Sequence, residues 1–459
     1  MIFVAKASTL LSRSWLLAAL GWQGLVLGGA HWGSPFCERS NMRTFKAFTY
    51  AAATSFAALV AAAPASAVEI EYWQYIFDAR ITAMDVLIDN FQKANPDITV
   101  KQSTFPYADY RTKVAAAIPA GEGPDVVQLF YGWLNDYVQA DLIQPLPAAN
   151  FPADKIEAEF FPMVRAMKID GNYMALPTAV RSLALFYNKR MFAEAGLTAP
   201  PANLDELVEM AAKMTTKDGA GNITAEGLTS GMTAQDHHWW REVVLRQFGG
   251  APYSDDNKTV TYNSEGGVKA LQFYADLEAK HGVTKSTFMD EPQAAFKAGR
   301  AGMHIDGSFR IGALKDTRGL DWGVAELPAG PDGTKSNYAS YWVNAITTKA
   351  QGEKYDASVK FMEYITSDEA MQIWLDTVGE LPAKPSAAMT DANLADPVFG
   401  PFVAGLGYAN TTVFVDESGQ RQVLVDAISR MMLEGQSAAD SLAAAATAEQ
   451  VILDGYYKK

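Results

Sequence analysis

The sequence predicts a mixed α/β protein folded as two lobes, with the chain passing between them more than once. Three observations carry this expectation. Strand-period and helix-period segments alternate from Val68 onward. About half of the residues (49%) are apolar in a chain of 459, enough to fill two separate cores. The stretch from Leu176 to Leu197 reads as a passage between lobes: Pro177 bars a helix, and Leu183, Leu185 and Tyr187 alternate with smaller or opposite-facing residues until Asn188. A helix follows, with Met191, Phe192 and Ala195 as its apolar stripe and Gly196 as its C-cap.

The leader comes first. Residues 42–67 place Arg43 and Lys46 before an Ala-rich apolar run that ends in Ala65-Ser66-Ala67, the pattern of a cleavable secretory signal cut before Val68. The run is short and rich in Ala rather than Leu, which argues against a membrane anchor. Residues 1–41 fit no such pattern, because glycines and Gln23 break their apolar stretch, and they read as an extension from an upstream start. The only cysteine, Cys37, lies in that extension and follows Ser34-Pro35-Phe36, unlike a lipid-attachment site. The remainder is thus expected to be free of disulfides, not lipidated, soluble and periplasmic. Residues 1–67 carry a net +4 (Lys6, Arg13, Arg39, Arg43 and Lys46 against Glu38), so of the whole chain's −14 the remainder carries −18. That charge disfavours nucleic acid and anionic membranes as partners.

In the remainder, Val68, Ile70 and Tyr72 alternate with Glu69 and Glu71, giving a first strand from Val68 to about Trp73. Met84, Leu87, Ile88 and Phe91 fall at helical spacing, and Asn95-Pro96-Asp97 ends that helix before a strand at Ile98 to Val100. Tyr110, Val114, Ala117 and Ile118 form another helix, and Asp125 to Phe130 is apolar enough for an interior parallel strand. Past the passage, Asn203 caps a helix with Glu206 three residues on, and Leu204, Leu207, Val208 and Ala211 are its stripe. Met371, Trp374, Leu375 and Val378 mark a late helix, and the Ala-rich segment from Leu442 to Ala448 another.

Several of these residues also form motifs. Pro177, a strand ending Tyr187-Asn188-Lys189, then Phe192 and Ala195-Gly196-Leu197 resemble the first interdomain crossing of extracellular solute-binding proteins of carbohydrate ABC importers, the family-1, maltose-binding-protein-like group. Gly123-Pro124-Asp125-Val126, Ala295 to Met303 with Gly307-Ser308-Phe309, and Phe361 to Ala370 follow in that family's order, over nearly all of Val68 to Lys459. Two departures bear on ligand identity. Phe309 stands where the family's Gly-x-Trp turn has its aromatic, and Ser340-Tyr341 where a glycine pair often precedes one. The resemblance implies a two-lobed periplasmic binding protein fold (type II-like), with multiple hinge crossings and a ligand cleft between the lobes. It puts the return crossing near Leu320 to Pro328 and a third at about Val378 to Pro382. Lobe one would then be residues 68–181 with 327–377, and lobe two residues 182–326 with 378–459.

No chemistry of bond-making is expected. The sequence has no Gly-x-Ser-x-Gly elbow, no phosphate-cradling loop and no His-Glu-x-x-His helix. Acid pairs such as Asp255-Asp256 and Asp416-Glu417 read as solvated turns rather than catalytic dyads. Adjacent His237 and His238 lack an acid or Cys at a ligating offset, so no metal and no cofactor are expected.

A sugar offers apolar C–H faces and a rim of hydroxyls, so its site needs flat aromatics and rigid polar forks. Loops after predicted strands supply both: Trp73, Phe77 and Asp78; Tyr131 and Trp133; Arg181 at the crossing; Asp306, Phe309 and Arg310. The resemblance adds His237 and Trp239, counted back from Gly249-Gly250, while Trp240 is expected in the core. It also adds Trp342, which takes the face of its strand opposite Tyr341, Val343 and Ala345, as an aromatic platform in a wet cleft. The implied partners are a small-molecule carbohydrate and the membrane permease of an ABC importer whose ATPase is a separate subunit, with this chain a monomer. Arg181 and Arg310 would also suit an anionic ligand, and a secreted glycoside hydrolase is the competing enzymatic reading.

Overall fold

The computed structural model describes residues 67–289 and 291–458. The expectations for residues 1–66, the extension with Cys37 and nearly all of the signal, lie outside the described residues. One sheet of eleven strands runs through the molecule: β1 (Val68–Tyr75), β2 (Ile98–Phe105), β3 (Val126–Phe130), β4 (Leu176–Asn188), β5 (Thr216–Lys217), β6 (Ile223–Leu228), β7 (Ala301–Gly307), β8 (Trp322–Ala325), β9 (Asn337–Ile346), β10 (Leu381–Pro382) and β11 (Ala409–Asn410). Its main path is β2-β1-β3-β9-β4-β7-β6-β5; β8 and β10 also pair with β4, and β11 with β9.

The strand β4 joins two neighbourhoods. Leu176 to Ser182 pair antiparallel with β9, and Leu183 to Tyr187 pair with β7, so its partner changes between Ser182 and Leu183. Beyond that change both faces are buried, Leu183 and Leu185 in one hydrophobic cluster and Ala184 and Phe186 in the other. This explains the near-continuous apolar run, because a strand covered on both sides has no polar face to alternate with. The chain returns through β8, which pairs with Leu185 to Asn188, and enters β9 at Asn337. Gly379, at φ 77, ends the helix Asp368–Val378, and β10 then pairs with Val180 and Ala179.

The helices form where periodicity and caps place them. Met84, Leu87, Ile88 and Phe91 are buried on the helix Asp78–Ala94, and Leu204, Leu207 and Ala211 on Leu204–Met214. The Asn203 side chain accepts from the Glu206 amide at 2.9 Å, and Glu206 accepts from the Ala202 amide at 2.8 Å. The Ala-rich segment belongs to the helix Ala438–Tyr457, packed against Glu417–Glu434 and Glu265–Ala279. Among the described residues no helix is long and apolar enough to cross a membrane.

Candidate functional site

Three strands that run parallel end at one edge of a cavity of about 320 Å³: β1 brings Tyr75, the residue two past the end of β2 is Tyr107, and β3 brings Phe130. Open sheets bind ligands beyond the carboxyl ends of such strands. β9 pairs Trp342 with Phe130 and carries it to the same edge. Its indole lies 4.4 Å from the Tyr75 ring, so these aromatics form one slab. Arg181, from the middle of β4, supplies the fork beside it. The other wall comes from the loop Thr233 to Gln235, His237 and His238, Phe309, Tyr338, and Glu417 with Arg421 on the helix Glu417–Glu434.

The charges are internally balanced. Arg181 Nε donates to Glu380 at 2.6 Å, and Glu380 also takes Arg80 at 2.5 Å and the Trp374 indole N–H at 3.0 Å. Arg421 reaches Glu417 at 3.8 Å one helical turn away. Burial, helped by the charges of Arg241 and Arg421, holds both His237 and His238 well below the ordinary imidazole range, so they are neutral at pH 7. His238 stacks on Tyr338 at 4.1 Å, and the Nδ1 atoms of both histidines have no protein partner. Burial likewise keeps the hydroxyls of Tyr75 and Tyr338 protonated. The cavity therefore presents aromatic faces, neutral donor and acceptor groups, and forks already tied to carboxylates.

A second, wider cavity of about 1020 Å³ shares Phe309 with the first and is also lined by Phe77, Asp78 and Arg310. Two guanidiniums lie over the Phe309 ring, Arg181 at 5.1 Å and Arg310 at 5.5 Å from its centre.

Residues 86–400 match the model of the family described as bacterial extracellular solute-binding protein. The chain belongs to this family. Among its relatives, a maltotriose-binding protein of Pyrococcus abyssi is 25% identical over 350 residues, 74% of this chain and 71% of that protein. An sn-glycerol-3-phosphate-binding periplasmic protein of Pectobacterium atrosepticum is 24% identical over 375 residues, 76% and 80% of the two. The fold matches the cyclic alpha-maltosyl-1,6-maltose binding protein of Arthrobacter globiformis with TM-score 0.75 at 23% identity, covering 85% of this chain and 100% of that one. The sugar-binding protein MalE of Xanthomonas citri gives 0.72 at 22% identity, over 84% and 98%.

In this solute-binding chain the residues expected at a ligand site divide into three sets. Arg181, His237, Phe309 and Trp342 line the smaller cavity, and Phe77, Asp78, Phe309 and Arg310 the larger. Trp73, Tyr131, Trp133, Trp239 and Asp306 line neither. Trp73 packs on Phe105 at 4.6 Å, because β1 runs two residues further than the alternation suggested and the residue at its cavity end is Tyr75. Tyr131 and Trp133 stand one layer back: the Tyr131 hydroxyl meets that of Tyr338 at 2.8 Å, and Trp133 sets its edge on Trp342 at 5.3 Å. Asp306 holds Arg310 Nε at 2.6 Å and His304 Nε2 at 3.1 Å, so it positions the fork rather than facing the cavity.

Trp239 is directed away because residues two apart on a helix point about 200° apart; neighbouring His237 and His238 face the cavity instead, and Trp239 packs on Tyr274. Trp240 packs edge-on to Tyr262 in the core. The helix widens to a π turn at Trp239–Val244, a distortion that recurs at binding sites. Tyr341 turns into the core, its hydroxyl donating to the Met163 carbonyl at 2.8 Å. Sequence reasoning missed Tyr75, Tyr107, Phe130, Tyr338, Glu417 and Arg421. Asp416 is exposed as expected but is also the N-cap that accepts from the Gly419 amide, and it starts the helix whose Glu417 and Arg421 line the cavity.

Proposed function

We propose that this solute-binding protein captures a neutral carbohydrate in the periplasm and delivers it to the permease of an ABC importer. One observation carries the choice of ligand. Tyr75, Tyr107, Phe130, Trp342 and Phe309 offer ring faces, while both guanidiniums among the described lining residues, Arg181 and Arg421, already hold carboxylates. An anion would be placed beside the charges of Glu380 and Glu417, which oppose it, whereas neutral hydroxyls can accept from the guanidinium N–H groups that those carboxylates leave open. The relative that binds sn-glycerol 3-phosphate keeps the anionic reading testable; the relative that binds maltotriose supports the sugar. The only carboxylate lining the smaller cavity among the described residues is Glu417, which argues against two acids flanking a glycosidic bond.

The topology supports closure in this reading. The change of partner on β4 between Ser182 and Leu183, the return before β9 and the turn at Gly379 are the hinge positions of this reading. A sugar that touches both walls only when they are closed stabilises the closed form by that difference, and the permease reads the closed form. At a ligand concentration a hundredfold above the dissociation constant, binding adds about 2.7 kcal/mol of stability. A thermal-melt panel of mono- and oligosaccharides, polyols, sugar acids and glycerol 3-phosphate tests it: a neutral sugar should raise the midpoint by a few degrees without being hydrolysed. A shift from glycerol 3-phosphate alone would replace the sugar with an anion, and no shift from any compound would overturn carbohydrate capture.

A further inference from the structure

We propose that the π turn at Trp239–Val244 locks the wall facing the aromatic slab into one body, with Arg241 and Glu242 as positioning residues for a cavity that neither of them lines. The binding half of this rests on the carbohydrate reading. Lining residues of that wall come from three segments far apart in the chain: His237 and His238 just before the π turn, Tyr338 near the start of β9, and Glu417 with Arg421 on the helix Glu417–Glu434. Each segment is bonded to the π turn. Ser336, the residue before β9, donates to the Glu242 carbonyl at 2.7 Å. Thr412, in the loop leading to the helix Glu417–Glu434, donates to Glu242 Oε1 at 2.7 Å, while Arg246 holds Oε2 at 3.0 Å. Arg241 donates to the Gln420 carbonyl and to Glu449 Oε1, both at 2.7 Å. Gln420 precedes Arg421, and its side-chain oxygen accepts from the amides of Val415 and Asp416 at 2.8 and 3.0 Å, which fixes the start of the same helix.

Arg241, Glu242, Gln420 and Glu449 are all fully buried. A buried charge network adds little net stability over apolar residues of the same size, but any rearrangement of the segments it joins leaves a charge unpaired. It therefore fixes one arrangement. The cavity needs such fixing, because the Nδ1 atoms of His237 and His238 have no protein partner, and groups that read a hydroxyl must be held to within about 0.5 Å by the residues behind them. A π turn, which puts an extra residue into the helical repeat, recurs where a helix serves a site. Here both charged residues it carries point to neighbours that hold the wall.

Thr412→Val keeps the shape of the side chain and deletes the bond to Glu242, and Thr412→Ser restores the hydroxyl. Calorimetric titration with maltose, maltotriose, cellobiose and trehalose reads the effect on binding. Affinity for the tightest binder of the four should fall at least threefold in Thr412→Val and stay within twofold of the parent in Thr412→Ser. Thr347→Val is the control: it deletes a buried hydroxyl bonded to the Pro124 carbonyl at 2.6 Å beyond the far end of β9, so it should lower the melting midpoint and leave affinity within twofold. Amide hydrogen exchange of the sugar-free protein reads the wall itself. Thr412→Val should speed exchange at least twofold over residues 236–245 and 417–424 together, and Thr347→Val over neither. Ser336→Ala, which cuts the tie to the Glu242 carbonyl, carries the same expectations should Thr412→Val fail to fold. A loss of affinity below threefold, or one that Thr412→Ser does not recover, would make Thr412 a structural contact only and overturn the proposal. Faster exchange confined to residues 411–416 would overturn it too, since the segments would then move independently. If no sugar bound the parent, carbohydrate capture would fall by itself, and the exchange result would still decide whether the wall is one body.

Discussion

Trp342 both lines the candidate site and packs in the core cluster beside it. The strand alternation places it correctly opposite Tyr341, Val343 and Ala345, but a face in a wet cleft is only part of its surroundings. Its ring is 7% exposed and meets Tyr75 at 4.4 Å, Trp133 at 5.3 Å, Phe130 at 5.9 Å and Tyr107 at 6.3 Å. Trp342→Ala should thus weaken binding of the identified sugar by about 1 to 3 kcal/mol, from lost stacking and apolar contact. It should also lower apo stability by about 3 kcal/mol or more, because truncating a packed Trp leaves a cavity. Calorimetric titration beside a denaturant melt reads both. Intact affinity with a collapsed melt would make Trp342 purely a core residue.

At the scale of elements, the segment from β6 to the end of the π turn gathers titratable groups that oppose one another. His237 and His238 are held neutral, so their stabilising balance is complete above the ordinary imidazole value of about 6.5 and is lost as pH falls below it, where only the unfolded chain takes up protons. Burial pushes the Glu226 carboxyl up to about 7 and raises Asp236, and these act with opposite sign: their contribution is full at low pH and is lost as pH rises through the raised value. Replacing both histidines by Gln isolates the first effect. Between pH 6.5 and 5 the stability of the double variant should fall less steeply than that of the parent, by up to about 1.4 kcal/mol per pH unit for each imidazole. Parallel stability curves from chemical denaturation at pH 7, 6 and 5 would show that the histidines titrate alike folded and unfolded.

Elements were also the level at which the sequence was most readable. The stripe Met84, Leu87, Ile88, Phe91 and the Asn203 and Glu206 cap are local signals, and each formed where expected. The end of a strand is not a local signal, because alternation continues until the chain turns. Reading β1 as ending at Trp73 instead of Tyr75 therefore chose an aromatic packed behind the site over the one that lines the cavity. Tyr107 was missed for the same reason, since β2 runs on to Phe105, whereas Phe130 was read as the last residue of its strand and the site was sought in the loop after it. Glu417 and Arg421 lie far along the chain, and only the tertiary fold brings their helix across the cleft.

The whole molecule is tied together at Glu380. Its carboxylate joins three parts of the chain: Arg80 from the helix after β1, Arg181 from the crossing strand β4, and Trp374 from the helix that precedes β10. Arg80 is fully buried, and its guanidinium also donates to the Tyr75 hydroxyl at 2.7 Å, so the network reaches the aromatic slab that lines the smaller cavity. Such a group is worth little relative to a well-packed apolar substitute, but removing one charge strands the others in a medium that solvates them poorly. Glu380→Gln keeps the size of the side chain and some of its hydrogen bonds while leaving Arg80 and Arg181 without a counter-charge. It should cost about 3 to 5 kcal/mol, seen as a lower denaturant midpoint with an unchanged slope. The exposed pair Lys213 and Glu209, at 2.7 Å on the helix Leu204–Met214, is the internal control, since Glu209→Gln should leave the midpoint where it is. If Glu380→Gln matched that control, the two arginines would have to find solvent or other acceptors in the folded state, and Glu380 would not hold the crossing strand to lobe one.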